Sequence, residues 1–441
     1  MIRPPRATHS RRAIALPRTA RPLRTELRRG IGPAVGVATL AALLFAAYEK
    51  ADDWLTGWSD TADMLRTAGL LLGAPLAAAA ACWQGGRERR RGTEELLATA
   101  ARPRLRRTLL AAAPAILWPV AGYLLTTAVC LSVTWQYASY GGPYASLIAA
   151  DATAIAAIAA LGFLAGRLVP WRLAPPLVAF VVFAVDPFIA NQDSPVAWLS
   201  PGKEHIYSWD RPVWWFGPAS MVWTAGLAAA ALLAYAARRR ARALALAPLT
   251  AAAAAAVLIA QTGDGVWRPD PASAALVCDD GAPRVCVTRA HSRMLPDASA
   301  ALAGLTAKLR TVPNAPTRIV ESLDDSEARR TDAPLSGVEY YFRRNRIVEP
   351  EMFAANAALG ATTAPSCPGI SDEDRYNDLS EAVAEWLAPM PRPEPPVGQD
   401  APGYTRDLER LKAMPDRERT RWLGTYFAAA RSCRLEQVTA P

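Results

Sequence analysis

In its first half the chain reads Tyr144-Ala-Ser-Leu-Ile-Ala-Ala-Asp-Ala-Thr-Ala-Ile-Ala-Ala-Ile-Ala-Ala-Leu-Gly-Phe-Leu-Ala-Gly166, an apolar run with one charged side chain, Asp151. A helix of about 20 residues crosses the hydrocarbon core of a bilayer, which is about 30 Å thick. A surface helix of a soluble protein keeps a polar stripe, whereas this run is apolar on all faces. It therefore predicts a transmembrane helix.

Similar runs recur on both sides of this stretch, and residues 174–190 carry the weakest signal among them. A chain that is 51% hydrophobic and 20% charged is also too apolar to be disordered. We expect an all-α polytopic membrane domain over residues 31–261 with about seven transmembrane helices. Besides 144–166, the runs are 31–49, 65–83, 108–134, 174–190, 218–237 and 243–261.

The positive charge is concentrated in the membrane part of the chain. Residues 1–261 carry a formal charge of +13 and residues 262–441 one of −4, within a total of +9. The basic residues share no solvated face, which argues against a nucleic-acid partner. Arginines cluster in alternate loops, and basic loops resist translocation, so the amino terminus is predicted inside and the carboxyl-terminal region outside. The basic clusters are 1–31, 84–107, 167–173 and 238–242.

Residues 1–30 form a basic leader that is expected to remain cytoplasmic, ahead of an uncleaved first helix. After residue 261 the sequence alternates short strand-like and helical pieces, as in a small α+β domain, which is placed outside the membrane at 262–441. The predicted elements are a hairpin over 275–288 with a turn at Asp280-Gly281, a strand over 338–342, helices over 298–309, 372–387 and 416–432, and an exposed linker over 391–402.

The six cysteines divide between the two parts. Cys82 and Cys130 lie in predicted spans, where a lone thiol behaves as a small apolar residue. The other four lie in the outward domain, where an oxidising compartment favours disulfides with three possible connectivities. Hairpin geometry places two of them opposite each other and leaves the other two to pair: Cys278 with Cys286, and Cys367 with Cys433. A zinc site is the alternative, although no Cys-x-x-Cys pair is present.

Catalytic and metal-binding patterns are weak in this sequence. The three histidines have no i, i+4 spacing, which excludes a zinc hydrolase of the His-Glu-x-x-His kind. His291, the single histidine of the outward domain, is expected to be a surface residue with its hydrogen bonds satisfied. Asp151 and Asp186 are the acids inside predicted spans, and both fall toward outer ends where water could solvate them. We expect no catalytic residue, cofactor or metal.

A short amphipathic helix is predicted between the second and third spans, in the stretch Arg91-Gly-Thr-Glu-Glu-Leu-Leu97. Thr93 can cap its amino terminus, Glu94 and Glu95 occupy its first turn, and Pro103 ends it. The simplest role for such a helix between basic flanks is to rest on anionic lipid. A role in contacting another protein is the alternative.

This stretch, together with Arg24-Thr-Glu-Leu-Arg-Arg29 before the first span, resembles the membrane subunits of actinobacterial ATP-binding-cassette (ABC) exporters. The resemblance covers roughly residues 22–261. Members of that family carry a Gly-x-Glu-x-Leu-Leu element that ends near a proline and contacts the nucleotide-binding partner. The resemblance implies a coupling element formed by Glu94, Glu95, Leu96, Leu97 and Pro103. The family usually has six spans, and its core pattern does not include an outward domain.

The sequence contains no Gly-x-x-x-x-Gly-Lys-Ser/Thr motif, so ATP-driven transport would require a separate ATPase. The leading hypothesis is therefore a plasma-membrane permease subunit of an ABC-type exporter that works with an ATPase subunit, in contact with lipid and as a homo- or heterodimer of permease subunits. The main alternative is a membrane-anchored extracytoplasmic sensor or assembly protein. A membrane-embedded enzyme that acts on lipid is the third.

Overall fold

The computed structural model describes residues 25–28, 30–93, 103–203, 205, 208–237, 239–321, 331–335, 337–362, 373–391, 402–434 and 438–441. Seven helices account for the predicted apolar runs. They are α1 (Gly32–Glu49), α2 (Trp58–Gly85), α3 (Arg104–Thr134), α4 (Ala145–Leu168), α5 (Ala174–Ala190), α6 (Phe216–Ala236) and α7 (Leu246–Thr262).

Six helices within the described ranges are long and apolar enough to cross a membrane. They are α1, α2, α3, α4, α6 and α7, the last extended by flanking turns to span Arg242–Val266. The multi-pass membrane fold is thus confirmed in its coarse form. The remaining predicted run forms α5, which is apolar but has 17 residues. The count of seven spans stays a prediction.

Helix α4 lies at the centre of the bundle, against α2 on one side and α6 on another. Gly162 and Gly166, four residues apart, face the backbone of α2. A methyl group added at Gly162 would lie 2.5 Å from the carbonyl oxygen of Ala78, and one at Gly166 would lie 1.9 Å from that of Cys82. This Gly-x-x-x-Gly spacing therefore allows two helix backbones to touch, as it does in other membrane helices.

The carboxyl-terminal region, which we call the outward domain after its predicted placement, contains a four-stranded mixed sheet in the order β3 (Leu276–Cys278), β4 (Arg284–Thr288), β5 (Arg318–Glu321) and β6 (Asp332–Leu335). Strands β3 and β4 are antiparallel, and β4, β5 and β6 run parallel. A separate two-stranded pair joins β1 (Asp210–Pro212), before α6, to β2 (Trp267–Pro269), after α7.

Within the described ranges, six helices of seven or more residues contribute with this sheet to a continuous apolar core that includes Ile319, Phe353 and Tyr426. The predicted helix over 298–309 is divided at Leu302, and the other two predicted helices are confirmed over Glu373–Leu387 and Asp416–Arg431. The helices are α8 (Leu295–Ala301), α9 (Ala303–Leu309), α10 (Pro350–Thr362), α11 (Glu373–Leu387), α12 (Pro402–Ala413) and α13 (Asp416–Arg431). The predicted linker over 391–402 lies largely outside the described residues.

The predicted strand over 338–342 is wrong. Val338–Tyr341 forms one helical turn after Gly337, whose φ of 67° is left-handed, and a two-residue strand, β7 (Phe342–Arg343), follows and pairs with β8 (Arg346–Ile347). Val338 and Phe342 are both buried, and residues four apart share a face in a strand as well as in a helix, so the pattern does not distinguish the two. Valine is β-branched and phenylalanine is aromatic, and both residue types are common in strands, which is why the sequence predicted one here.

The predicted hairpin is confirmed, with Cys278 opposite Cys286 and a disulfide between them. Cys433 also takes part in a disulfide, whereas its predicted partner, Cys367, lies outside the described residues. Cys82 and Cys130 are free thiols buried in the helical bundle, as expected for small apolar residues there.

The outward domain rests on the loops after α1 and α3. Arg293 donates from its side chain to the carbonyl oxygen of Gln136 at 2.7 Å and from its backbone to Ser139 Oγ at 3.2 Å. Arg344 forms an ion pair with Asp52 at 3.4 Å. The domain is therefore tied to one end of the helical bundle.

Candidate functional site

A buried ion pair lies inside the bundle, between α2 and α4. Arg66 Nε donates to Asp151 Oδ1 at 3.3 Å, and Tyr123 of α3 donates its hydroxyl proton to Asp151 Oδ2 at 3.1 Å. The exposed fractions of the three residues are 4%, 2% and 0%. Each carboxylate oxygen thus has a donor, which is the condition under which a buried charge is tolerated. The pair joins three predicted spans.

The structure corrects the expectation that water solvates Asp151. The chain segment after α5 folds over this end of the bundle, and Arg66 donates a further bond to the carbonyl oxygen of Lys203 at 3.4 Å. The counter-charge comes from Arg66, which the sequence analysis did not single out. A basic residue inside an apolar run was the available signal, since such residues in membrane helices pair with a partner.

Asp186 of α5 is half-buried and lies close enough to Arg66 and Asp151 for their charges to interact. It accepts a hydrogen bond from Ser200 Oγ at 2.6 Å, in the segment that follows α5. Asp186 therefore fixes the chain immediately after its own helix. This local contact agrees with a structural role for the residue.

At the opposite end of the bundle, three segments of the chain meet in what we call the basic junction. It comprises the helical residues 25–28 before α1, residues Arg87–Arg91 after α2, and Arg167 near the end of α4. Arg87 forms two hydrogen bonds to Glu26 at 3.1 and 3.3 Å. Glu88 forms a two-bond ion pair with Arg167, whose carbonyl oxygen also accepts from Arg89 at 2.7 Å.

These contacts fix the ends of α1, α2 and α4 relative to one another. Paired guanidinium and carboxylate groups with two bonds each are more directional than single ion pairs. The Glu88–Arg167 side chains are also largely shielded from solvent, with 19% and 13% exposure. A displacement of the chain after α2 would therefore be passed directly to α4.

Of the five predicted coupling residues, the structure describes one. Glu94, Glu95, Leu96 and Leu97 lie outside the described residues, directly after the basic junction. Pro103 is described, and its ψ of 138° is extended, so the backbone there is not helical until α3 begins at the next residue. Its role of ending the preceding helix stays a prediction, because residues 94–102 lie outside the described residues.

A second buried pair lies in the outward domain, where His291 Nδ1 is 2.5 Å from Glu321 Oε1. His291 was expected on the surface, but its exposed fraction is 2%. Burial alone would raise the pKa of Glu321, whereas the charge of His291 and hydrogen bonds from His291 and Thr288 lower it, and the net shift is downward. The pair forms part of the core.

Among the described residues, no group of three acidic, histidine or cysteine side chains could hold a metal.

A cavity of about 290 Å³ lies between the outward domain and the end of the bundle on which that domain rests. Aromatic rings of Trp58, Tyr140 and Tyr144 line it together with Arg211. His291 reaches it from the outward domain. The cavity is therefore shared by the two parts of the chain.

Comparisons with protein-family models, with curated proteins and with solved structures found no match in any of the three.

Proposed function

We propose that this protein is the membrane subunit of an ABC-type transporter, an exporter that works with a separate ATPase. The observation that carries the proposal is the basic junction. The two segments that carry the resemblance, one before α1 and one after α2, meet there through Glu26 and Arg87. The second segment is also joined to α4 through Glu88 and Arg167.

This arrangement suits a transporter because force applied to the segment after α2 has a short path into the bundle. The path runs from the predicted coupling residues to Glu88, then to Arg167 and α4. Helix α4 contacts α2 along Gly162 and Gly166, so the two helices must move as a unit. An ATPase bound at residues 94–97 would therefore act on the centre of the membrane domain.

The buried pair of Arg66 and Asp151 gives the bundle a second property of a transporter. Ionisable residues in membrane helices commonly mark pathways or switching elements, because their burial is costly. The pair lies under the segment that contains Lys203, at the end opposite the basic junction. A rearrangement that opened this end would have to separate or move the pair.

The test is co-purification of an ATPase with the tagged full-length chain from its native membrane. Burying a leucine in a protein contact contributes about 1.5 to 3 kcal/mol, against at most about 1 kcal/mol for an exposed charge pair. We therefore expect Leu96→Asp with Leu97→Asp to abolish retention of the ATPase. Glu94→Gln with Glu95→Gln should weaken it only slightly.

Leu276→Asp with Val348→Asp is the matched control, because both side chains are exposed in the outward domain. This variant should retain the ATPase at the wild-type level. If no ATPase accompanies the wild-type protein, or if the Leu96 and Leu97 variant retains it fully, the transporter proposal is wrong.

The cavity between the outward domain and the bundle favours one alternative, an extracytoplasmic sensor anchored by the helices. In that case a ligand in the cavity would act on Trp58 at the start of α2 and on His291 in the outward domain at once. The sensor becomes the better explanation if no ATPase co-purifies and substitution of cavity residues, such as Arg211→Ala, removes the cellular function.

A further inference from the structure

We propose that a cavity at the basic junction binds the phosphate group of an anionic membrane lipid. The cavity has a volume of about 560 Å³ and lies between the residues before α1 and the end of α2. This inference goes beyond the proposed function and does not depend on whether an ATPase is present.

The cavity has a polar wall and an apolar wall. Arg87, Arg90 and Arg91 line the polar wall beyond the end of α2, beside the buried amide of Gln84. Ile31 and Trp83 line the apolar wall, and both lie at helix ends on the membrane side of the arginines. A lipid has the same order of groups, with a phosphate next to the start of its acyl chains.

The charge balance of the cavity favours an anionic occupant. Glu26 accepts both hydrogen bonds from Arg87 and so neutralises it. Arg90 and Arg91 are both exposed, and neither forms an ion pair with any residue in the part of the chain that the structure describes. Two positive charges next to one another repel unless an anion lies between or beside them. A phosphate is the anion that a membrane supplies at this level.

Arg90 is already positioned for such a ligand. Its guanidinium lies 3.9 Å from the centre of the Trp83 ring, which is 47% exposed. One terminal nitrogen of Arg90 donates to the carbonyl oxygen of Trp83, and the stacking restrains the guanidinium plane, which leaves the remaining N–H groups able to donate to a phosphate. Tryptophan itself prefers the headgroup layer of a bilayer. The pair thus provides both a support for the headgroup and a fixed donor.

The apolar wall distinguishes a lipid from a free phosphate. A free phosphate would gain nothing from contact with Ile31 or Trp83, whereas the glycerol and first methylenes of a lipid would bury apolar surface there. Basic residues next to membrane helices attract anionic lipids even without a cavity. A defined cavity predicts, in addition, that the arginines lining it contribute more to lipid binding than other arginines at the same depth in the membrane.

The experiment is native mass spectrometry of the full-length protein, delipidated in detergent and then titrated with phosphatidylglycerol or phosphatidylcholine. We expect retention of one phosphatidylglycerol and at least about tenfold weaker retention of phosphatidylcholine. Arg90→Gln with Arg91→Gln should weaken phosphatidylglycerol binding by at least about tenfold. Arg91→Lys, which keeps the charge, should bind nearly as well as the wild type.

The matched control is Arg104→Gln with Arg106→Gln, which removes two exposed arginines at the start of α3. An equal loss in both double variants would show general charge attraction and would overturn the proposal. The proposal would also be overturned if inorganic phosphate, at the same concentration as the lipid, displaced phosphatidylglycerol completely, because the apolar wall would then contribute nothing to binding. Circular dichroism and the melting temperature of each variant verify that the fold is retained.

Discussion

At the residue scale, the central feature is the pair formed by Arg66 and Asp151. Taking two charges out of water is costly, and their attraction offsets that cost only when the remaining hydrogen-bonding atoms find partners. Tyr123 and the carbonyl oxygen of Lys203 supply those partners. The pair therefore contributes little net stability when intact, but losing one member leaves an uncompensated buried charge.

This reasoning predicts strong coupling in a double-mutant cycle. Arg66→Met or Asp151→Leu alone should each destabilise the protein by about 3 to 5 kcal/mol. The double variant should lose much less than the sum, because apolar groups replace both charges. Unfolding by SDS in mixed micelles, followed by tryptophan fluorescence, measures the effect. Strictly additive losses would contradict the coupling.

The exposed pair of Lys50 and Asp53 provides the control for that cycle. Its side chains are 69% and 56% exposed and three residues apart, and Asp53 also forms a longer ion pair with Arg343 at 3.7 Å. Surface pairs of this kind contribute at most about 1 kcal/mol. Lys50→Met with Asp53→Leu should therefore shift the unfolding midpoint far less than either substitution in the buried pair.

Asp151 could be identified from the sequence, but the residues that surround it could not. A single carboxylate in an apolar run is visible without any structure, whereas its partner is separated by 85 residues and belongs to another helix. The partnership depends on how α2 and α4 pack. His291 is a similar case, because its burial beside Glu321 follows from the pairing of β4 with β5 rather than from local sequence.

At the element scale, the close contact between α2 and α4 rests on glycine. Gly166→Ala would place a methyl group 1.9 Å from the carbonyl oxygen of Cys82, so the helices would have to separate. Overpacking of this kind costs about 1 to 3 kcal/mol. We expect that loss in the same SDS unfolding assay.

Gly142→Ala is the matched substitution, because no atom lies within 4 Å of the added methyl group. It should change stability by about 0.5 kcal/mol or less. If both alanine variants unfold alike, the contact between α2 and α4 does not depend on the absence of a side chain at Gly166.

The sequence predicted which segments form helices more reliably than where those helices begin and end. The apolar runs gave α1, α3 and α4 nearly as observed, because bilayer-length hydrophobicity is a local property of sequence. Helix α2 begins at Trp58, ahead of the predicted residue 65, since Asp60 and Asp63 interrupt the apolar pattern. Ser208 donates to Asp60 at 2.9 Å, so a distant segment satisfies the polar group that obscured the helix start.

At the scale of the whole molecule, the number of spans depends on whether α5 crosses the membrane. Its 17 residues span about 26 Å, slightly less than the hydrocarbon core. Two contacts favour a crossing. The chain before α5 is held at the basic junction through Arg167, and Asp186 near its end bonds to Ser200 on the side where Lys203 meets Arg66.

A crossing by α5 gives an odd number of spans and places the two ends of the chain on opposite sides of the membrane. We expect a cysteine introduced at Ala440 to react with an impermeant maleimide in intact cells, and one at Ser10 to react only after the cells are opened. The background is Cys82→Ala with Cys130→Ala, which removes the two thiols that are free among the described residues and keeps the disulfides of the outward domain. Because an even number of spans would expose both introduced cysteines or neither, equal labelling in intact cells would rule out the crossing and place the outward domain on the same side as the basic junction.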